Sequence, residues 1–248
     1  MPGTAIVVPC YNEAGRIDVA AFQSFARSGV ARLVLVNDGS TDSTSAVLRE
    51  IASAEPGVLV LELPSNAGKA EAVRRGLLEA MATGADAVGF WDADLATPFD
   101  AVPAFIERLR LQPQLDAVIG SRVRLLGRFI ERRAVRHYTG RVFATAVSLA
   151  LQLPVYDTQC GAKLFRVTPR LTDALATPFT SRWIFDVELL ARLGVLDGRY
   201  SSDYLLESVY EYPLHEWRDV AGTRLRFEDF PTAALDLWQI YRRYVKPS

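Results

Sequence analysis

Ala87-Val88-Gly89-Phe90-Trp91-Asp92-Ala93-Asp94 is an uncharged, largely apolar run that ends abruptly in two acids. An apolar run without polar alternation reads as a strand buried on both faces, the pattern of a parallel sheet covered by helices on each side. Two carboxylates at i and i+2 directly beyond such a strand are costly unless something compensates their charge. Two readings stand: a divalent cation held by Asp92 and Asp94 through hard oxygen ligands, or a loop running on to a helix cap at Asp100.

The same rhythm repeats on either side. Residues 4–8, 33–36, 58–63 and 117–119 are strand-like, and residues 14–28, 43–54, 69–82 and 102–111 are helix-like. Such alternation predicts βαβ units: an α/β fold whose central sheet is mostly parallel, with helices on both faces. Ligands of such sheets bind at the carboxyl ends of the strands, where every polar cluster here falls. Beyond Ser121 an Arg-rich stretch leads into a helix over 139–153, a short strand over 161–167, a helix over 185–193 and a final helix over 230–244. There is no repeat, low-complexity tract or Gly/Ser linker, so one domain over 1–248 is the simplest organisation.

Three further loops carry candidate ligand groups. In Val7-Val8-Pro9-Cys10-Tyr11-Asn12-Glu13, Pro9 ends the strand because it cannot donate to the ladder. Tyr11 and Glu13 then either hold a nucleobase and ribose, or merely flank a helix cap at Asn12. In Asn37-Asp38-Gly39-Ser40-Thr41-Asp42, Asp42 is placed to cap the next helix, whereas Asp38 is a candidate acceptor for a base N–H or a ribose hydroxyl. In Ser65-Asn66-Ala67-Gly68-Lys69, free backbone N–H groups and an ammonium converge at a helix start and suit a diphosphate. The G-x-x-x-x-G-K-[ST] spacing of a P-loop is absent.

Bulk composition excludes several classes. With 248 residues, half of them hydrophobic, 23% charged and a net charge of −1, the chain is neither disordered nor globally basic, so a nucleic-acid partner is not expected. Cys10 and Cys160 make neither a zinc site nor a disulfide framework, which predicts a reducing, cytoplasmic setting. The first apolar run, residues 5–8, is too short for a signal peptide. The apolar stretch 142–153 contains Thr145, Ser148 and Gln152 and falls short of the roughly 20 residues that span a bilayer. These features predict a soluble protein or one peripheral on the cytoplasmic membrane face.

The order Pro-x-Tyr-Asn-Glu, Asn-Asp-Gly-Ser-Thr-Asp, Asn-x-Gly-Lys and Asp-Ala-Asp resembles glycosyltransferase family two, which has the GT-A fold. Asp157-Thr158-Gln159-Cys160-Gly161-Ala162-Lys163-Leu164-Phe165-Arg166 and Arg182-Trp183-Ile184-Phe185-Asp186-Val187-Glu188 resemble its polyprenyl-phosphate branch, closest to the dolichyl-phosphate β-glucosyltransferases. The resemblance runs from about residue 5 to about residue 225. It implies a nucleotide-sugar-binding half over 1–121 and an acceptor-binding half over 122–248. Pro9, Tyr11, Glu13 and Asp38 would line the nucleoside pocket, with Lys69, Asp92 and Ala93 near the ribose and phosphates and Asp94 as principal contact to Mg²⁺ or Mn²⁺. Gln159, Lys163 and Arg166 would close over the diphosphate or sugar, and Arg122, Arg132 and Arg136 would receive an acceptor phosphate. Asp186 and Glu188 are the carboxylates available as a base, a group that an already ionised phosphate acceptor needs little.

The implied reaction is inverting transfer of a hexose, glucose before mannose and from UDP before GDP, to a polyprenyl phosphate. The alternatives are a soluble or glycan acceptor with the same donor chemistry, or a nucleotide-sugar-binding protein without catalysis. An interaction with anionic lipid is suggested by Arg122, Arg124, Arg128, Arg132, Arg133, Arg136 and Arg141, which face a single acid, Glu131. If helical from Arg128, the segment aligns Arg128, Arg132 and Arg136 on one stripe, with an apolar stretch following.

Overall fold

The computed structural model describes residues 3–131, 134–220 and 230–246, with backbone alone for 134–139, 230 and 231. In chain order the elements are β1 (Thr4–Cys10), α1 (Val19–Ser28), β2 (Arg32–Asn37), α2 (Thr44–Ala54), β3 (Val58–Glu62), α3 (Lys69–Ala82) and β4 (Ala87–Trp91). A 3-10 turn, Phe99–Ala101, leads into α4 (Val102–Leu111), β5 (Ala117–Ser121), β6 (Phe129–Ile130), α5 (Ala134–Leu151) and β7 (Ala162–Arg166). Next come α6 (Pro169–Leu175), α7 (Phe185–Leu193), the hairpin β8 (Val195–Leu196) and β9 (Arg199–Tyr200), α8 (Ser202–Ser208), β10 (Val209–Pro213) and β11 (Glu216–Trp217). Last is α9 (Phe230–Ile240), which runs into a π-helical turn, Tyr241–Val245.

Seven strands form the main sheet in the order β10-β5-β7-β4-β1-β2-β3. All neighbours are parallel except β7, which lies antiparallel between β4 and β5. Successive side chains of a strand point to opposite faces, and both faces are covered. Ala5 and Val7 of β1 join a core with α3, α5, α6, α7 and α9, whereas Ile6 and Val8 join one with α1, α2 and α4. This double burial is why the strands read as unbroken apolar runs.

Local chemistry sets the helix ends. Asp18 caps α1 by accepting from the Ala21 amide at 3.0 Å, and Gly29, with φ 67°, closes it in the left-handed region. The helix therefore starts later than the apolar pattern over 14–28 implies, and Asn12 is not its cap. Pro9 does not end β1 either: the strand continues through Pro9↔Val36 and Cys10↔Asn37. The Cys10 carbonyl accepts from Asp38 on the β2 side, so alternation turns Pro9 towards β4, whose pairing stops at Val7↔Phe90. The missing N–H falls where no partner waits.

The helix α3 lies close on the sheet because residue 76 is glycine: a Cβ there would stand 2.3 Å from Val7 Cγ1 and 2.8 Å from Val36 Cγ2. Gly76→Ala gains about 1 kcal/mol of helix propensity but overpacks this contact, at a typical cost of about 1–3 kcal/mol. We expect a net loss of stability in chemical denaturation, recovered in part when Val7 is also truncated to Ala. A Gly76→Ala protein more stable than the parent would remove close packing as the reason for the glycine.

Candidate active site

Three loops meet at the carboxyl ends of β1, β2 and β3. Asn12, at φ 53°, donates from its amide to Ser40 Oγ at 3.0 Å, and its side-chain oxygen accepts from the Thr41 amide at 2.9 Å. The Glu13 amide donates to Thr44 Oγ1 at 2.8 Å, and Asp42 accepts from Thr44 and Ala14. Asp42 thus ties the first loop to the second as well as serving the start of α2. The Asp38 carboxylate is buried and accepts from the Ala67 and Gly68 amides at 2.8 and 2.9 Å. Both of its oxygens already hold the turn before α3, so a base N–H would share an occupied acceptor. Gly39 at φ 63° permits this closeness, since a Cβ there would lie 2.4 Å from the Ser65 carbonyl carbon.

Lys69, the first residue of α3, places Nζ 2.5 Å from Asp92 Oδ1. Burial works against its charge, but Asp92, Asp186 and Asp94 outweigh it and the ammonium titrates above its ordinary value. Asp94 accepts from the Ala96 amide at 3.0 Å and lies 3.5 Å from Arg16, which also reaches Glu13 at 3.2 Å. Burial first, then the charge of Asp92, pushes the Asp94 carboxyl above its usual 3.8. Ala93 is buried in the turn between the two acids. Tyr11 and Pro9 are half-buried at the end of β1. Arg16 is a site residue that sequence reasoning misses; its only signal is the i, i+3 spacing from Glu13.

The antiparallel strand corrects two expectations. Running away from the site, β7 puts Arg166 opposite Ala87, the first residue of β4, where its guanidinium donates to the Leu115 and Leu109 carbonyls. Arg166 is therefore at the opposite end of the sheet from Asp92 and does not close over a ligand. Lys163, 1% exposed, donates to the Cys160 carbonyl and to Asp186 Oδ1, both at 2.5 Å, so its ammonium is spent inside the fold. Gln159 remains near the site: its amide donates to Asp157 Oδ1 at 3.2 Å, and its buried Nε2 finds no acceptor among the described residues.

Arg122 is held by Asp157 through Nε at 2.6 Å and NH2 at 2.7 Å, with its guanidinium against the Trp217 ring. Burial opposes its charge, yet Asp157 keeps it above its ordinary value. Glu211 of β10 accepts from the Tyr156 and Asp157 amides and so fixes this buckle. No spacing in the sequence marks Asp157 or Glu211 as a positioning group. Arg132 lies outside the described residues, as does the side chain of Arg136. Arg128 sits in the turn before β6, not on α5, so the expected arginine stripe does not form across it. Cys10 and Cys160 are both buried free thiols; burial lifts Cys160 to about 11 and Cys10 further, which leaves neither as a thiolate.

A mostly parallel sheet thus carries paired acids beyond one strand and a lysine-tipped helix beside them. The model for glycosyl transferase family 2 matches residues 5–170. A dolichyl-phosphate β-glucosyltransferase of Trichomonas vaginalis is 30% identical over 251 residues, 96% of this chain and 70% of the relative. Its counterpart in Drosophila melanogaster is 32% identical, across 97% of this chain and 75% of that protein. Among solved structures, glucosyl-3-phosphoglycerate synthase from Mycobacterium tuberculosis in complex with Mn²⁺ and UDP-glucose superposes with TM-score 0.68 at 21% identity, over 99% of this chain and 80% of that one. A mannosyltransferase from Pyrobaculum calidifontis in complex with GDP-mannose and Mn²⁺ gives 0.65 at 19%, over 99% and 65%. At these identities the structural likeness is one of fold. The chain belongs to glycosyltransferase family 2.

Gly161 gives the site a sharp test. A Cβ there would stand 1.8 Å from Asp92 Oδ2, while the Asp92 amide donates to the Gly161 carbonyl at 3.0 Å. Gly161→Ala must move the carboxylate, not the backbone. We expect little change in the unfolding midpoint of the free protein, but loss of any added stabilisation by UDP with Mn²⁺. Undiminished UDP–Mn²⁺ stabilisation would show that Asp92 need not stand where it does.

Proposed function

We propose that the protein transfers glucose, with inversion, from UDP-glucose to a polyprenyl phosphate. The observation that carries the donor half is the Asp92–Asp94 pair with Lys69 between it and the α3 N-terminus. The named activity of the relatives at 30% and 32% identity supports both glucose and the lipid phosphate. Neighbours of the same fold accept UDP-glucose and GDP-mannose, so the base preference rests on the relatives rather than on the fold.

A divalent cation, Mg²⁺ or Mn²⁺, fits the donor set. Asp92 and Asp94 offer hard oxygens, and a cation would offset the burial and the Asp92 charge that raise the Asp94 carboxyl. No cluster of three or more His, Cys, Asp or Glu that could hold a metal occurs among the described residues. Such ions are commonly held by one or two carboxylates, with substrate phosphates filling the remaining positions. When bound, the ion would offset charge on the departing nucleoside diphosphate.

In the transfer itself, an acceptor phosphate oxygen attacks the anomeric carbon as the bond to the β-phosphate oxygen breaks, and UDP leaves. Lys69 and the first amides of α3, which no side chain caps, would bind the diphosphate, and Gln159 Nε2 would donate to a sugar or phosphate oxygen. The acceptor half over 122–248 would contribute Arg122, with Arg132 and Arg136 as further candidates. The state of Asp186 favours phosphate over a glycan hydroxyl. It is occupied by Lys163, and Glu188 is 0% exposed and paired with Arg192, so neither is free as a base. A phosphate monoester brings its own negative oxygen. Among the described residues no helix is long and apolar enough to cross a membrane.

Asp94→Asn should abolish transfer to polyprenyl phosphate, read as sugar extracted into organic solvent. It should not lower stability at neutral pH. The sign follows from the raised carboxyl: its contribution is fully present below 3.8 and is lost as pH rises through the raised value. The parent should therefore lose stability across that window relative to the variant. Full transfer by Asp94→Asn, or by the parent in excess chelator, would refute the assigned role.

A further inference from the structure

The described part of the C-terminus has two contrasting sides. Inward, Leu237 and Ile240 of α9 are buried in the core it shares with α5 and α7. Outward, Leu235 is 62% and Trp238 58% exposed. The π-helical turn that follows is basic: Arg242 stacks over the Trp238 ring, and no acid occurs from Leu237 to Lys246, a stretch with Arg242, Arg243 and Lys246. Exposed apolar residues, an interfacial tryptophan and a cationic end complement one kind of surface, an anionic bilayer.

Between these two sides stands Asp236. Its Oδ2 accepts the Ser181 hydroxyl at 2.6 Å. With its one proton committed there, Ser181 Oγ accepts from the Ile184 and Trp183 amides at 3.0 and 3.3 Å, and so holds the entry to α7. Arg243 adds a bond to Thr180 Oγ1 at 3.2 Å, and the Tyr244 hydroxyl donates to Glu188, which also accepts from the Thr180 and Ser181 amides. The turn so held carries Arg182, whose Cδ and Nε lie 3.9 Å from where a Cβ on Gly68 would be, and leads to Asp186. One of these tethers, Asp236, comes from the helix that bears Leu235 and Trp238, and the others, Arg243 and Tyr244, from the π-helical turn that continues it.

We propose that α9 couples an anionic lipid surface to the active site: its outer face seats on the bilayer, and Asp236, acting through Ser181, positions the Arg182–Asp186 turn. Asp236 and Ser181 are positioning residues, since neither needs to touch a substrate. The coupling rests on the lipid-phosphate reading above, but the lipid contact itself can be measured without any acceptor.

The test has two arms. In the first, the full chain is sedimented with vesicles containing phosphatidylglycerol or phosphatidylcholine alone, with no polyprenyl phosphate present. The parent should bind the anionic vesicles, and added salt should weaken binding. A Leu235→Ser/Trp238→Ser variant should bind about tenfold less while keeping its stabilisation by UDP–Mn²⁺. In the second, Asp236→Ala should bind vesicles as the parent does. Its kcat should fall about tenfold through a misplaced turn with donor KM unchanged, and Asp236→Asn, which can still accept from Ser181, should restore the rate. Equal vesicle binding by parent and the Leu235/Trp238 variant overturns the proposal, as does self-association through that face without vesicle binding. So does Asp236→Asn as slow as Asp236→Ala. Failure of transfer in the parent, with vesicle binding intact, would instead fall on the choice of acceptor.

Discussion

The ion pair between Lys163 and Asp186 is the contact on which the architecture turns. Lys163 sits mid-strand on β7, between Phe90 of β4 and Ile119 of β5, and is 1% exposed. Removing an ammonium and a carboxylate from water costs several kcal/mol per ion before their attraction offsets it, so such a pair is poor evidence of extra stability. Its worth is geometric. Only one place on α7 neutralises the buried lysine, so the C-terminal third can dock on the sheet in one register. The Cys160 carbonyl accepts a hydrogen bond from a second N–H of the ammonium, which ties the Asp157–Gly161 segment to the same point.

That segment then spreads the constraint. Gly161 leaves space for the Asp92 carboxylate, and Asp157 clamps Arg122 while Glu211 clamps the backbone of Tyr156 and Asp157. Lys69 completes the ring by meeting Asp92 from the α3 side. The carboxylates at the open end of the sheet are therefore not balanced to neutrality. Asp92 has Lys69 and Asp94 has a more distant Arg16, and burial together with the Asp92 charge leaves the Asp94 carboxyl raised. Among the described residues, the buried charges of Lys163, Asp186, Glu188 and Arg192 are by contrast closely paired.

Much of this is legible in the sequence because strand and helix periodicities differ. The bounds of β4, α3, α4 and α7 follow directly from the apolar runs and from Lys69, Leu111 and Phe185 at their edges. The direction of β7 is not legible, because an apolar run reads the same in either sense. From that one ambiguity comes the misplacement of Arg166. The roles of Asp38 and Arg122 are obscured for another reason: an acid or arginine that holds a loop has the same sequence appearance as one that holds a ligand. The short α8 and β10 leave no sequence signal because Ser202–Pro213 mixes Tyr, Leu and acids without a clear period. Arg128 misleads because arginine spacing is periodic whether or not the backbone is helical.

Family membership and physical coupling divide the chain differently. The family model ends at residue 170, before Asp186, Glu188 and all of α9, whereas the dolichyl-phosphate β-glucosyltransferase relatives match across 96–97% of the chain. The residues beyond 170 join the rest through the apolar core they share with β1, β4 and α3, through the pairing of β10 with β5 and through Asp186 on Lys163, while Glu188 and Ser181 hold the tail to them by polar contacts. Polar contacts of this kind are directional and fail abruptly when one partner is lost, whereas apolar packing tolerates repacking. A segment held this way can differ among relatives without disturbing the donor chemistry, provided its anchors stay matched.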